Sequence, residues 1–139
     1  MAELPSDMRE HNRKVIDEFR ANKGAGDRQL LLLTTTGARS GLPRTTPMMY
    51  IPDGEHLLVM ASNAGAPTHP DWYRNLVASP RVTVEVGPET YDANAVVTEG
   101  DERERLWRMI VERYPFFADD QAKINRQIPI VALERVGSA

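Results

Sequence analysis

The chain has 139 residues, 41% of them hydrophobic and 27% charged, with a formal net charge of -3 and no cysteine. That length fits one domain over residues 1–139, large enough to hide roughly two-thirds of the surface its unfolded form exposes. Disulfides, thiol nucleophiles and thiolate metal sites are excluded, no apolar run approaches the roughly 18 residues of a membrane span, and net acidity speaks against general nucleic-acid binding.

In chain order, Ser6 is placed to cap a helix over residues 7–22, with Met8, His11, Val15, Ile16 and Phe19 on one apolar face. Gly24 and Gly26 then stop it. Residues 30–33 read as a strand and 48–51 as the end of the next, joined by a loop over 37–42. Pro52, Asp53 and Gly54 signal a turn into a third, largely buried strand over 55–62. A small-residue loop over 63–67 leads to a short helix with Pro70 in its first turn and an exit at Ala78, Ser79 and Pro80. Residues 81–86 alternate, with Val82, Val84 and Val86 facing in and Thr83 and Glu85 out, and Gly87-Pro88 turns the chain into a partner strand over 91–98. A helix over 101–114 gathers Leu106, Trp107, Ile110, Val111 and Tyr114 on one face and leaves Glu102, Arg103, Glu104 and Arg108 in water. Pro115 ends it, and a second short helix over 118–126 precedes a closing strand over 128–133.

The expected class is α+β: about six mainly antiparallel strands, flanked by helices, that relieve their edges by rolling into a small barrel. A parallel nucleotide-binding sheet fits badly, because the early strands lack helical crossovers.

The usual NTPase, dinucleotide, zinc-protease and hydrolase signatures are absent, and His11, His56 and His69 show no metal-ligand spacing, so no metal is expected. Two clusters remain. Between Asp27 and Asp53 there is no acidic residue, yet Arg28, Arg39 and Arg44 lie there. Backbone N–H groups freed by Gly37 and Gly41, the hydroxyls of Thr36 and Ser40, and two guanidinium forks match phosphate or carboxylate oxygens. A plain hairpin turn with solvated arginines is the alternative. The second cluster, Ala61 to Leu76, carries small residues that let a flat ring approach the backbone, followed by a helix start that adds donors. Trp72 there lines either a pocket or the core. Together the clusters suggest a phosphate-bearing cofactor on a barrel.

Three patterns extend this reading: T-T-x-G-x-x-S/T-G-x-P-R-x-x-P from Thr34, A-S-x-x-G-A-P-x-x-P-x-W-x-x-N-L from Ala61, and Y-P-x-x-A-x-x-Q from Tyr114. In that order, over nearly the whole chain, they resemble the deazaflavin (F420)-dependent nitroreductase and quinone reductase family. The resemblance implies a split β-barrel, coenzyme F420 as cofactor, and hydride transfer from its reduced form to a small electrophilic acceptor such as a quinone, a nitroaromatic or an unsaturated carbonyl compound. It implies that Arg39, Ser40 and Arg44 hold the coenzyme phosphate, with Gly37 and Gly41 shaping the loop. Thr45, Thr46 and Pro47 would run beside the ring, and Ala61, Ser62, Asn63, Ala64, Gly65 and Ala66 would contact it from the other side. Trp72 would pack against the pocket wall and Asn75 brace it, while Ser62 and Tyr114 are the candidate catalytic donors to the acceptor. Relatives often carry positive charge where this chain has Ala38 and Asn63, and some present three tyrosines where it has Tyr114, Phe117 and Asp120.

A cytoplasmic protein is expected, without stable membrane insertion or nucleic-acid partner; peripheral membrane contact through the first helix and a homodimer stay open. The alternative functions are a coenzyme- or flavin-binding barrel with little turnover and, last, a small nucleic-acid-binding barrel.

Overall fold

The structure, a computed structural model, describes residues 3–22 and 29–136. Its elements are α1 (Glu3–Ala21), β1 (Leu30–Thr36), β2 (Pro43–Met49), β3 (Ile51–Asp53), β4 (His56–Met60), a single 3-10 turn (Asn63–Gly65), α2 (Asp71–Ala78), β5 (Arg81–Val86), β6 (Glu89–Val97), α3 (Gly100–Arg113), α4 (Phe116–Ala122) and β7 (Ile130–Arg135).

All ladders are antiparallel, and the strand order is β2-β1-β5-β6-β7-β4-β3. The two outermost strands are neighbours in sequence, separated by Tyr50 alone. One extended stretch thus leaves β1, bends at Tyr50 and pairs with β4, which curls the sheet into a half-barrel. The Tyr50 N–H donates to the Gln29 carbonyl at 3.1 Å, pinning the bend beside the start of β1.

Strand alternation sorts the side chains into two cores. The inner one holds Leu31 and Leu33 of β1, Val59 of β4, Val82 and Val84 of β5, Ala93 and Ala95 of β6, and Val131 and Leu133 of β7, with Leu76 of α2 closing one end. Residues of the opposite parity, Ile51, Leu58, Ile130 and Ala132, face outward and are covered by Leu106 and Ile110 of α3 and Phe117 of α4. This double burial explains why residues 128–133 read as continuous apolar sequence rather than alternation.

Several expectations change. There are seven strands rather than about six, because the stretch reaching Ile51 is two strands split at Tyr50. The first helix begins at Glu3, so Ser6 lies inside it; its expected stop at Gly24 and Gly26 falls outside the described residues. Pro70 is the N-cap of α2 and not part of its first turn, and Tyr114 is the C-cap of α3. The second short helix spans Phe116–Ala122 and the closing strand Ile130–Arg135, because Pro115 caps the one and an irregular turn precedes the other. Arg103 faces the interior instead of water, only 6% exposed: its Nη2 donates to the Ile128 carbonyl at 2.6 Å and its guanidinium lies over Trp107. Burial pushes its pKa below the ordinary arginine value, against the weaker pull of Glu104.

Candidate functional site

Because every ladder is antiparallel, β1 and β4, four ladders apart, run in the same direction. Their C-terminal ends, where the loops at Gly37 and Ala61 begin, therefore lie at the same end of the barrel. Topology alone thus places the two clusters found in the sequence at the same end of the barrel.

The loop after β1 is a self-contained turn. Gly37 N–H donates to the Leu42 carbonyl at 2.8 Å, Gly41 N–H to the Gly37 carbonyl at 2.9 Å, and Leu42 N–H to Ser40 Oγ at 3.1 Å. Gly41 has φ +71°, a left-handed conformation that costs other residues energy. A side chain at Gly37 would place its Cβ 2.6 Å from Ser40 Oγ. The glycines thus do not free their own N–H groups, as the sequence suggested. Instead the N–H groups of Arg39 and Ser40 have no acceptor among the described residues. Arg39 and Arg44 are exposed, and neither guanidinium meets a carboxylate among the described residues.

Asn75 holds this loop from behind. It is 8% exposed; its Oδ1 accepts the Ala38 N–H at 2.9 Å and its Nδ2 donates to Thr35 Oγ1 at 3.1 Å. Asn75 therefore ties α2 to β1 and to this loop. Trp72, one turn earlier on α2, is half-buried against the inner core.

Along β2, Arg44 pairs with Thr35, Thr45 with Thr34, Thr46 with Leu33 and Pro47 with Leu32. Alternation puts Arg44 and Thr46 on the face shared with the inner core and Thr45 and Pro47 on the other. Thr45 Oγ1 lies 2.8 Å from Thr34 Oγ1. The other edge of β2 belongs to no ladder among the described residues. If the β3–β4 register, in which Ile51 meets Leu58, continued past the bend, Met49 would face Met60 and Pro47 would face Ser62. It does not continue, because β2 turns away onto β1. Between the free edge at Arg44 to Pro47 and the loop at Ala61 to Gly65 the barrel is split, and the unpaired backbone there can meet a polar, flat ligand.

Across the split, Ala61 is buried and its N–H donates to the Pro129 carbonyl at 3.0 Å. Gly65 and Ala66 close the 3-10 turn through N–H bonds to the Ser62 and Asn63 carbonyls. Gly65 has φ +78°, and α4 packs so closely on it that a Cβ would come within 3.2 Å of Lys123 Cδ. Asn63 has φ +50°, the one non-glycine residue with positive φ among the described residues, and its Nδ2 donates to the Thr68 carbonyl at 2.9 Å. Ala64 belongs to the same turn.

Tyr114 sits elsewhere. Its ring packs edge-on against Phe116 and Phe117 over the outer core, and its hydroxyl accepts from Gln29 Nε2 at 3.4 Å, next to the Tyr50 bend. Gln29 precedes β1, so Tyr114 lies near the start of β1, and it shares the outer core with Met60, two residues before Ser62. Among the described residues no hydrogen bond joins the two candidate donors.

Two side chains escaped the sequence reading. Arg126, in the turn before β7, reaches back to the loop at Ala61, and Gln121, the last residue of the third pattern, clamps that turn. An arginine in an irregular segment, 57 to 65 residues from its partners, carries no sequence signal.

A cleft of about 290 Å³ lies elsewhere, on the outer face, lined by Asp53, His56, Glu99, Glu102 and Glu134 among others. Its carboxylates make it unsuitable for an anion. The donor set of the split fits F420: unpaired guanidinium groups and N–H donors for a phosphate, beside small residues and a free strand edge for a flat ring. No helix among the described residues is long and apolar enough to cross a membrane, and they hold no group of three or more histidine or acidic side chains fit for a metal ion.

Comparison with known proteins converges on one family. The sequence model described as F420H2-dependent quinone reductase matches residues 8–135. An F420H2-dependent quinone reductase of Mycobacterium tuberculosis is 40% identical over 108 residues, covering 76% of this chain and 72% of the relative. Among solved structures, an F420-H2 dependent reductase (FDR-A) superposes with TM-score 0.70 at 41% identity, covering 79% of this chain and 97% of the other. A protein described as a domain-swapped dimer superposes with TM-score 0.72 at 36% identity, covering 94% and 99%.

Proposed function

The chain belongs to the F420H2-dependent quinone reductase family, and on that premise we propose that the split between β2 and the loop after β4 holds coenzyme F420. The protein is an F420-dependent oxidoreductase that reduces quinones; nitroaromatic and unsaturated carbonyl compounds are the further acceptors we assign to it.

One observation supports the placement above the others. Arg39 and Arg44, in the loop after β1 and at the start of β2, stand without carboxylate partners among the described residues, and the other edge of β2 has no ladder partner among them. In this reading Arg39, Ser40 and Arg44 bind the phosphate, each charge-assisted bond contributing about 1.5 to 3 kcal/mol. Thr45, Thr46 and Pro47 flank the ring on one side, and Ala61 to Ala66 flank it on the other. Trp72 fills the core behind, and Asn75 fixes the loop.

Bound F420 in its reduced form supplies the hydride; the protein supplies placement and electrostatics. An acceptor held within about 3 to 3.5 Å of the donor carbon gains several kcal/mol from orientation alone. Negative charge arising on the acceptor is met by hydrogen-bond donors, which we assign to Ser62 and Tyr114.

Titration with oxidised F420, followed by its fluorescence, and oxidation of F420H2 by menadione test this function. Saturable binding and acceptor-dependent oxidation are expected. Failure to bind the coenzyme would refute the placement. We also propose a homodimer, supported by the domain-swapped dimer that superposes on this chain; light scattering at a monomer mass would refute that assembly.

A further inference from the structure

Arg126 lies in the turn between α4 and β7, outside the phosphate chemistry just described. All four of its terminal N–H groups are engaged in one direction. Nη1 donates to the Ala61 carbonyl at 3.1 Å and to His69 Nδ1 at 3.1 Å; Nη2 donates to the Ser62 carbonyl at 3.0 Å and the Ala66 carbonyl at 3.1 Å. The turn carrying it is fixed from α4: Gln121 Nε2 donates to the Arg126 carbonyl at 2.7 Å, and Ile128 N–H donates to Gln121 Oε1 at 2.9 Å. Nε of Arg126 is buried without a partner among the described residues, so this side chain acts through its terminal fork.

A trans peptide points its N–H opposite to its C=O. Carbonyls of Ala61 and Ser62 drawn onto the guanidinium therefore turn the N–H groups of Ser62 and Asn63 away from it. Among the described residues those two N–H groups have no acceptor, whereas those of Ala61, Gly65 and Ala66 do. Ser62 is right-handed, with φ -74° and ψ -28°, and Asn63 follows with φ +50°. That succession gathers consecutive N–H groups into a concavity suited to an oxyanion or a carbonyl oxygen. A lysine, with a compact charge and no planar fork, cannot hold three carbonyls and an imidazole at once.

We infer that Arg126 is a positioning residue for the coenzyme, its fork holding the loop at Ala61 to Ala66 so that the Ser62 and Asn63 N–H groups stay presented to an oxygen of the ligand. The inference rests on the placement of F420 in the split. His69 is part of the device, because Nδ1 accepts from Nη1 only while unprotonated. Burial, then the charges of Arg126 and of Arg74 on α2, hold the His69 pKa below its ordinary value. Tyr73 stacks on the ring at 4.6 Å and brings no charge.

The test is titration with oxidised F420 of the wild-type protein, Arg44→Ala and Arg126→Lys. Arg126→Lys is expected to weaken binding by about tenfold or more. Absence of binding by the wild type would refute the functional placement. Binding by the wild type, weakened in Arg44→Ala but unchanged in Arg126→Lys, would overturn the role of Arg126 alone. If Arg126→Lys does not fold, His69→Asn decides, since its amide oxygen can replace Nδ1 without titrating. Wild-type affinity should then fall more steeply than that of His69→Asn as pH drops below about 6.5, the ligand's own titration being common to both. Parallel curves would overturn the proposal.

Discussion

Asn75 and Thr35 meet through a 3.1 Å hydrogen bond at the end of the barrel, and the same carboxamide accepts the Ala38 N–H at 2.9 Å. One buried side chain on α2 therefore joins β1 to the loop that carries Arg39. Asn75→Ala orphans both partners, and unsatisfied buried groups cost about 1 to 3 kcal/mol each. Thermal unfolding should shift down by several degrees, and F420 affinity should fall with it although Asn75 touches no ligand in this arrangement. Unchanged affinity would separate the brace from the site.

Arg44→Ala should behave in the opposite manner. The side chain is exposed and makes no ion pair among the described residues, so the melting temperature should hold. F420 affinity should drop about tenfold or more, the worth of one charge-assisted bond. Equilibrium fluorescence titration measures this.

Tyr114→Phe leaves the packing against Phe116 and Phe117 intact and removes the hydroxyl near Gln29. Stopped-flow mixing of the F420H2-loaded protein with menadione should show slower oxidation at unchanged coenzyme affinity. An unaltered rate would assign Tyr114 to packing alone and leave Ser62 as the donor.

Arg103→Met keeps much of the side-chain volume but strands the Ile128 carbonyl, which now accepts at 2.6 Å. A loss of about 1 to 3 kcal/mol is expected in urea unfolding, partly offset because the charge no longer has to be desolvated. F420 affinity should be unaffected.

His69 gives the stability a sign with pH. Its native pKa lies below the ordinary 6.5, for the causes given above, so between the two values the unfolded chain binds more protons than the native one. Stability from this group is complete above about pH 6.5 and is lost as pH falls through the lowered native value. Melting curves recorded across that range should show a steeper acid limb for the wild type than for His69→Asn.

Much of this was legible in the residues. Val82 and Val84 alternate because one face of β5 is solvated enough to show it, and the hairpin at Gly37 to Leu42 announced itself through glycines between hydroxyl and apolar runs. The division at Tyr50 was not legible, since a strand that changes partners keeps its extended backbone and its composition. Arg103 was misread because a lone arginine beside Glu102 and Glu104 has the pattern of a wet helix face; only the approach of Ile128 from the far end of the chain explains its burial. In the site, charge made Arg39 and Arg44 visible, whereas the tethers of Asn75 and Arg126 depend on contacts 37 to 65 residues apart.

β7 pairs with β6 on one side and β4 on the other, although it is the last strand of the described chain. Until residues 130–135 arrive, the β2-β1-β5-β6 half and the β4-β3 half are joined only through the bend at Tyr50 and the connecting helices. The tether of Arg126 enters at the same moment, just ahead of that strand. The cradle proposed for the ligand thus leans on a strand remote from it in sequence, and a chain cut before residue 130 should be unable to sequester coenzyme.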